Sequence, residues 1–274
     1  MFNFYKYQSL GNDYILFNWL DKNINGVDTI LHNNNWSNIV KYLCNRRFGI
    51  GSDGALILRE NSSKQIEAVM FNSDGSLGYK CLNGLRCVAH FLVKEKKFLC
   101  DLDIFMGDKL MHCNVKDEVI INVGKVDYQG QHKLLLENMV LQGHIVSVGN
   151  PHFVVQQQID LSWLQANGVL IEQHSDFPNR TNVEFVWPID KSNHYKILVH
   201  ERGCGITLAC GSGAAAVIQT LYQQHKIANN EKVILNMQGG ILESYIDDNN
   251  DVIQQAQATL VFQGILNKAI LWPE

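Results

Sequence analysis

Two stretches 129 residues apart repeat one order of residue types: a strand-like run, a turn, a cysteine, a glycine-containing turn and an apolar helix. The first is Cys81-Leu82-Asn83-Gly84, leading into Leu85 to Val93 with Leu85, Val88, Ala89 and Leu92 at helical spacing. The second is Cys210-Gly211-Ser212-Gly213, leading into Ser212 to Tyr222, which is apolar nearly all round. A helix apolar on every side belongs inside a core, here wrapped by strands. Strands around a buried helix, repeated twice, predict an α+β architecture. The backbone N–H groups and dipole of a helix that begins at a cysteine favour the thiolate and lower its pKa. The same N–H groups form an anion site suited to a carboxylate. Two such thiols facing one substrate could remove a proton from one side of a carbon and return it from the other. The plainer alternative is a pair of buried cysteines beside tight turns.

The chain has 274 residues, enough for one large domain or two ordinary ones, and at 46% hydrophobic and 18% charged it is core-forming. A net charge of −4 without a basic stripe gives no reason to expect nucleic acid. Apolar runs such as Ala214 to Ile218 fall far short of a membrane span, and the first residues lack the layout of a signal peptide. A soluble, cytoplasmic protein with no membrane partner is expected. Seven cysteines (44, 81, 87, 100, 113, 204 and 210) argue for reduced thiols. None forms a CxxC pair, and the spacings suit no zinc ribbon or finger, so no metal site is expected. Cys44, Cys100 and Cys113 read as small buried hydrophobes.

A third helix is predicted from Trp36 to Arg46, with Trp36, Ile39, Val40 and Leu43 on one face. Strands are predicted at 55–58, 66–71, 119–123, 139–148, 183–187, 196–199, 232–236 and 259–262. Asn72 and Asn150 stand in turn sequences, where such residues need no ligand. Asp13, Asp53 and Asp74 read as loop-holding, and Asp247, Asp248 and Asp251 as a solvated hairpin tip.

Further blocks occur in order. They are Lys6…Gly11-Asn12-Asp13-Tyr14, then Arg47-Phe48-Gly49-Ile50-Gly51-Ser52-Asp53-Gly54 and Phe71-Asn72-Ser73-Asp74-Gly75-Ser76. The first cysteine block extends to Arg86-Cys87; Gly149-Asn150-Pro151-His152 and Arg180-Thr181-Asn182-Val183-Glu184 follow. Glu201-Arg202-Gly203-Cys204-Gly205-Ile206-Thr207-Leu208-Ala209 then leads into the second cysteine block. With these blocks the chain resembles the diaminopimelate epimerase family over nearly its whole length. The resemblance implies two similar domains related by a pseudo-twofold axis. Each is a mainly antiparallel, barrel-like sheet around a central helix, with the active site in the cleft between them. It places the first domain at 1–122 with a returning strand at 264–274, and the second at 123–263.

The resemblance also implies a reaction, the cofactor-independent inversion of one α-carbon of LL-diaminopimelate to the meso form, in lysine and peptidoglycan precursor synthesis. Cys81 and Cys210 would be the acid–base pair, thiolate and thiol exchanging roles with direction. Leu82, Asn83, Gly211 and Ser212 would bind the carboxylate through helix-start N–H groups. Asn12, Asn72, Asn150 and Asn182 would hold the substrate's polar groups. Glu201 would meet an ammonium and Arg202 the distal carboxylate, with His152 assisting near the thiols. The expected partner is a small amino-acid substrate, and a homodimer is implied.

Four positions depart from the family pattern. Leu82 replaces a glycine, which matters if that position needs φ > 0 or a close substrate approach. Ile206 replaces a glutamate, Ser9 replaces a glycine, and Gln254 to Thr259 replaces a different strand entry. These departures leave open a divergent amino-acid racemase with another substrate, or a non-catalytic relative of the same scaffold.

Overall fold

The computed structural model describes residues 2–20, 36–78, 81–137, 139–190 and 193–267. The chain divides into two compact units, Met1–Ile121 with Gln257–Glu274, and Asn122–Ala256.

The first unit contains β1 (Phe2–Ser9), β2 (Asn12–Asn18), α1 (Trp36–Cys44), β3 (Gly54–Glu60), β4 (Ile66–Asn72) and β5 (Leu77–Gly78). Then come α2 (Leu82–Lys94), β6 (Asp101–Met106), β7 (Lys109–Val115) and β8 (Val119–Gly124), whose last three residues belong to the second unit. In the second unit the order is β9 (Asp127–Leu136), β10 (Met139–Ser147), β11 (Pro151–Val155), α3 (Leu161–Glu172), β12 (Asn182–Pro188), β13 (His194–Glu201) and β14 (Gly205–Ile206). It ends with α4 (Gly211–Gln223), β15 (Val233–Met237), β16 (Gly240–Ile246) and β17 (Val252–Ala256), before β18 (Thr259–Leu266) rejoins the first unit.

The sheets share one pattern of pairing. From β18 through β1, β2, β3, β4, β6, β7 to β8, successive neighbours are antiparallel, antiparallel, parallel, antiparallel, parallel, antiparallel and antiparallel. From β9 through β10, β11, β12, β13, β15, β16 to β17, the series is the same. The short β5 pairs with β4 as β14 pairs with β13. The two units are therefore copies of one α+β design, in which β18 does for the first what β9 does for the second.

Each copy wraps its strands around one helix. Every residue of α2 from Leu82 to Leu92 except His90 is buried, and the helix packs on β1, β2, β3, β4, β6, β7 and β18. In α4, Gly211 and Gly213 through Leu221 are buried against β9, β10, β11, β12, β16 and β17. A second apolar cluster in each copy lies under the other helix. Trp36, Ile39, Val40 and Leu43 of α1 join Ile15, Phe17 and Ile57, whereas Leu164 and Ile171 of α3 join Phe153, Phe185 and Leu198.

Several expectations are corrected here. The central helices begin at Leu82 and Gly211, up to a turn earlier than periodicity suggested, because each cysteine itself is the cap. Helix α3 was not foreseen; Val169 and Leu170 are exposed on it, which blurs its apolar stripe. Residues 257–263 go with the first unit, since β18 is hydrogen-bonded to β1 from Phe2↔Leu266 to Gln8↔Thr259. Of the expected returning segment 264–274, residues 268–274 lie outside the described residues. Cys44 and Cys113 are buried as expected, but Cys100 is exposed in the turn before β6.

Candidate active site

Both cysteines occupy the same local structure. Cys81 has extended backbone (φ −138°, ψ 104°) and its Sγ accepts the Gly84 N–H at 3.2 Å. Cys210 (φ −125°, ψ 112°) accepts the Gly213 N–H at 3.4 Å. Each sulfur thus replaces the oxygen of an ordinary N-cap, at the positive end of a buried helix.

The polar residues around Cys81 form a connected series. Arg86, fully buried, donates to Asn83 Oδ1 at 2.6 Å, and Asn83 Nδ2 donates to Asn12 Oδ1 at 2.6 Å. Asn12 in turn reaches Asp53 Oδ2 at 3.3 Å. The Asn83 side chain is engaged at both ends of its amide. Asn72 donates to Ser76 Oγ at 2.9 Å, beside the Asp74 turn that holds Ser76. Tyr14, buried in β2, places its hydroxyl 3.0 Å from Cys81 Sγ.

Behind this series, Asp13 receives Arg46 at 3.1 and 2.7 Å and Lys6 at 2.7 Å, while Lys6 also donates to the Gly51 carbonyl. Burial opposes its ionisation, but the bonds from Arg46 and Lys6 prevail and hold its carboxyl down at about 2. A carboxyl depressed in the folded state stabilises fully above its unfolded pKa, about 3.9, and loses that contribution as pH falls toward 2. The gap between the urea midpoints of the native protein and Asp13→Asn is therefore expected to narrow as pH falls from 5 toward 2. A gap that stays constant over that range would contradict the assignment.

The surroundings of Cys210 are acidic. His152 Nδ1 lies 2.7 Å from Glu184 Oε1, both side chains fully buried, and its Nε2 lies 3.1 Å from Asn150 Oδ1. Glu201 accepts the Thr207 hydroxyl at 2.5 Å, and burial raises its pKa. Burial, followed by the charges of Glu201 and Glu184, pushes the Cys210 thiol well above its ordinary value. The expected lowering at a helix start is thus overruled at this cysteine. Asn182 is engaged at both ends of its amide, donating to Pro151 O at 2.8 Å and accepting the Arg202 N–H at 3.0 Å. Arg202 itself is exposed and donates to Asn179 O at 3.0 Å.

The four departures have local explanations. Leu82 is the first residue of α2, buried in ordinary helical backbone, so the position demands no positive φ. Ile206 packs against the apolar cluster of α3, replacing a charge with contact area. Ser9 Oγ donates to Gln257 O at 2.8 Å, so two departures meet in one bond. Gln254 Nε2 donates to Gly211 O at 2.8 Å and ties β17 to the first residue of α4.

A sequence model described as diaminopimelate epimerase matches residues 4–129 and 144–261, most of both units. The chain belongs to the diaminopimelate epimerase family. A diaminopimelate epimerase of Prochlorococcus marinus (strain NATL1A) is 36% identical, the match covering 96% of this chain and 98% of that one. One from Bacillus cereus (strain B4264) is 30% identical over 96% of each. Among solved structures, a probable proline racemase from Agrobacterium radiobacter K84 superposes with a TM-score of 0.72 at 11% identity, covering 97% of this chain and 93% of that chain. A hydroxyproline epimerase from Agrobacterium vitis gives 0.70 at 11%, covering 96% and 91%. At such identity these two speak for the fold alone. Membership in the family makes the chain an isomerase of the epimerase type. No helix among the described residues is long and apolar enough to cross a membrane.

Sequence reasoning missed Tyr14 and Glu184 as neighbours of the two thiols. The signal for Glu184 was present: a carboxylate inside the apolar run Val183 to Val186 is rarely buried unless paired.

Proposed function

We propose that the protein inverts one α-carbon of LL-diaminopimelate to give the meso isomer, using Cys81 and Cys210 as base and acid. The reading is carried by the twin cysteine caps, two thiols in matching helix-start geometry within duplicated units. In the reaction, one thiolate takes the α-proton and the C–H electron pair stays on the α-carbon, delocalised into the carboxylate. The other thiol gives its proton to the opposite face, and its sulfur is left as the thiolate. The helix-start N–H groups of Leu82, Asn83, Gly211 and Ser212 bind the carboxylate and stabilise the charge that develops there. Asn12, Asn72 and Asn150 hold polar groups of the substrate, and Asn182 sets the Arg202 backbone. Arg202 offers its guanidinium fork to the distal carboxylate. Glu201 and His152 stand where an ammonium and the second thiol meet.

On this reading the enzyme serves lysine and peptidoglycan precursor synthesis in the cytoplasm as a homodimer, and the two thiols move both protons without pyridoxal phosphate. Incubation in D₂O with LL-diaminopimelate and a panel of single amino acids tests it. The expected result is α-deuteration and stereoinversion of diaminopimelate. Turnover of another amino acid alone would replace the substrate and favour the divergent racemase. Absence of exchange with every substrate under reducing conditions would remove the catalytic reading.

A further inference from the structure

The duplicated ladders allow the two cysteine sites to be compared residue by residue. Tyr14 pairs with Tyr7 of β1 and Gly54 of β3; His152 pairs with Val146 of β10 and Asn182 of β12. They are the same position in the two copies, each following a Gly-Asn turn with positive φ at Gly11 (81°) and Gly149 (91°). Two residues after Gly54 and Asn182 stand Leu56 and Glu184. Each faces the third helical residue of its copy: a Cβ on Gly84 would meet Leu56, and one on Gly213 would meet Glu184. The turns that close β4 and β13 begin at Asn72 and Glu201. The second copy therefore holds a histidine and two carboxylates where the first holds a tyrosine, a leucine and an asparagine. Five residues past each cysteine, the first copy has buried Arg86 and the second Ala215. Matching folds thus give the two thiols opposite electrostatic surroundings.

We propose that Tyr14 is a positioning residue for this reaction, its buried hydroxyl donating to the Cys81 thiolate so that the resting enzyme carries its negative charge on Cys81 and its exchangeable proton on Cys210. The proposal rests on the reading of both cysteines as acid–base groups. At 3.0 Å the oxygen and sulfur are in hydrogen-bond contact, and the Gly84 N–H supplies a second donor. Burial, and next the neighbouring Cys81, keep the phenol protonated well above its usual range, so against a Cys81 thiolate the tyrosine is the donor. Among the described residues, the titratable and charged groups near the thiol include Arg86 and Cys87 on α2, Cys113 on β7 beside Arg86, and Asp53 and Asp13 beyond Tyr14 and Cys87. Burial pushes Arg86 down to about 10, which still leaves it cationic at neutral pH. Burial raises both Cys87 and Cys113, so neither competes for the negative charge. Hydrogen bonds to a charged acceptor are the stronger kind, and the loss of one is expected to shift the thiol by about one pKa unit, tenfold in thiolate.

The test is alkylation by iodoacetamide across pH, with Cys81 and Cys210 resolved by mass spectrometry of their peptides, a readout that needs no turnover. In the native protein the Cys81 midpoint is expected below the ordinary thiol value of about 8.5, with Cys210 above it. In Tyr14→Phe, the Cys81 midpoint is expected to rise by about one unit while Cys210 stays in place. The acid limb of kcat/KM for the forward reaction should move with it. A native Cys81 midpoint at or above the ordinary value overturns the proposal without any variant. So does an unshifted Cys81 in Tyr14→Phe, or an equal shift at both cysteines, which would indicate general loosening. Because alkylation is independent of substrate, a failed epimerase assay and a failed Tyr14 assignment give different results.

Discussion

Serine at position 81 or at position 210 is expected to lower epimerisation by at least a thousandfold while the protein stays folded. Serine is among the preferred N-caps, so its hydroxyl can accept the Gly84 or Gly213 N–H in place of the thiol. What serine cannot do is lose its proton near neutral pH. A positioned acid or base contributes about 10²- to 10⁴-fold to a rate, and inversion at the α-carbon needs both at once. The single variants should therefore be similarly inactive, although the thiols differ in their surroundings. Epimerase assays with circular dichroism on each purified variant decide the matter. Full activity in either variant ends the two-thiol mechanism.

The next largest effect is expected from Gly213→Ala. A methyl group there would sit 2.5 Å from Glu184 Oε1 and 3.0 Å from its Cγ. Glu184 has little room to yield, since it is fully buried and bonded to His152 at 2.7 Å. Either that pair breaks or the start of α4 moves, carrying Cys210 and the Gly211 and Ser212 backbone with it. Overpacking of this kind costs about 1–3 kcal/mol, and activity should fall at least tenfold with it. Gly84→Ala is the matched control, because its methyl would meet Leu56 Cδ2 at 3.1 Å and Cys81 Sγ at 3.4 Å, and a leucine end can give way. Melting temperatures should rank native, Gly84→Ala, Gly213→Ala in descending order. The reverse order of the two alanine variants would mean that Glu184 is not the fixed wall described here.

The central helices, the duplication and the cysteine blocks were legible in the sequence because each is local. Apolar residues at helical spacing after a turn mark Leu85 to Val93 without reference to anything distant. Tyr14 was not legible as a neighbour of Cys81, because 67 residues separate them. Only the registers of β1, β2 and β3 bring the hydroxyl to the sulfur. Among the strands that went unmarked, β6, β7, β16 and β17 carry polar interruptions (Asp in β6, His and Asn in β7, Glu in β16, Gln in β17) that resemble loops until their partners are known. Helix α3 was recoverable in principle: the duplicated order requires a helix between β11 and β12 to match α1 between β2 and β3. The departures were visible as letters but not as contacts. Ser9 reaches Gln257 across 248 positions, which no local pattern conveys.

That long reach has a bearing on how the chain is made. Strand β1 leaves the ribosome before the second unit, yet one of its two partners, β18, is drawn from Thr259–Leu266 after the whole second unit has emerged. The second unit holds its own β9 and can close as soon as Ala256 is clear, whereas the first waits with an edge of β1 unpaired. An open edge is a surface on which other chains can add. Domains that emerge during synthesis usually fold from the N-terminal end, and this architecture inverts that order. The unit bearing Cys81 is begun before the other and completed after it.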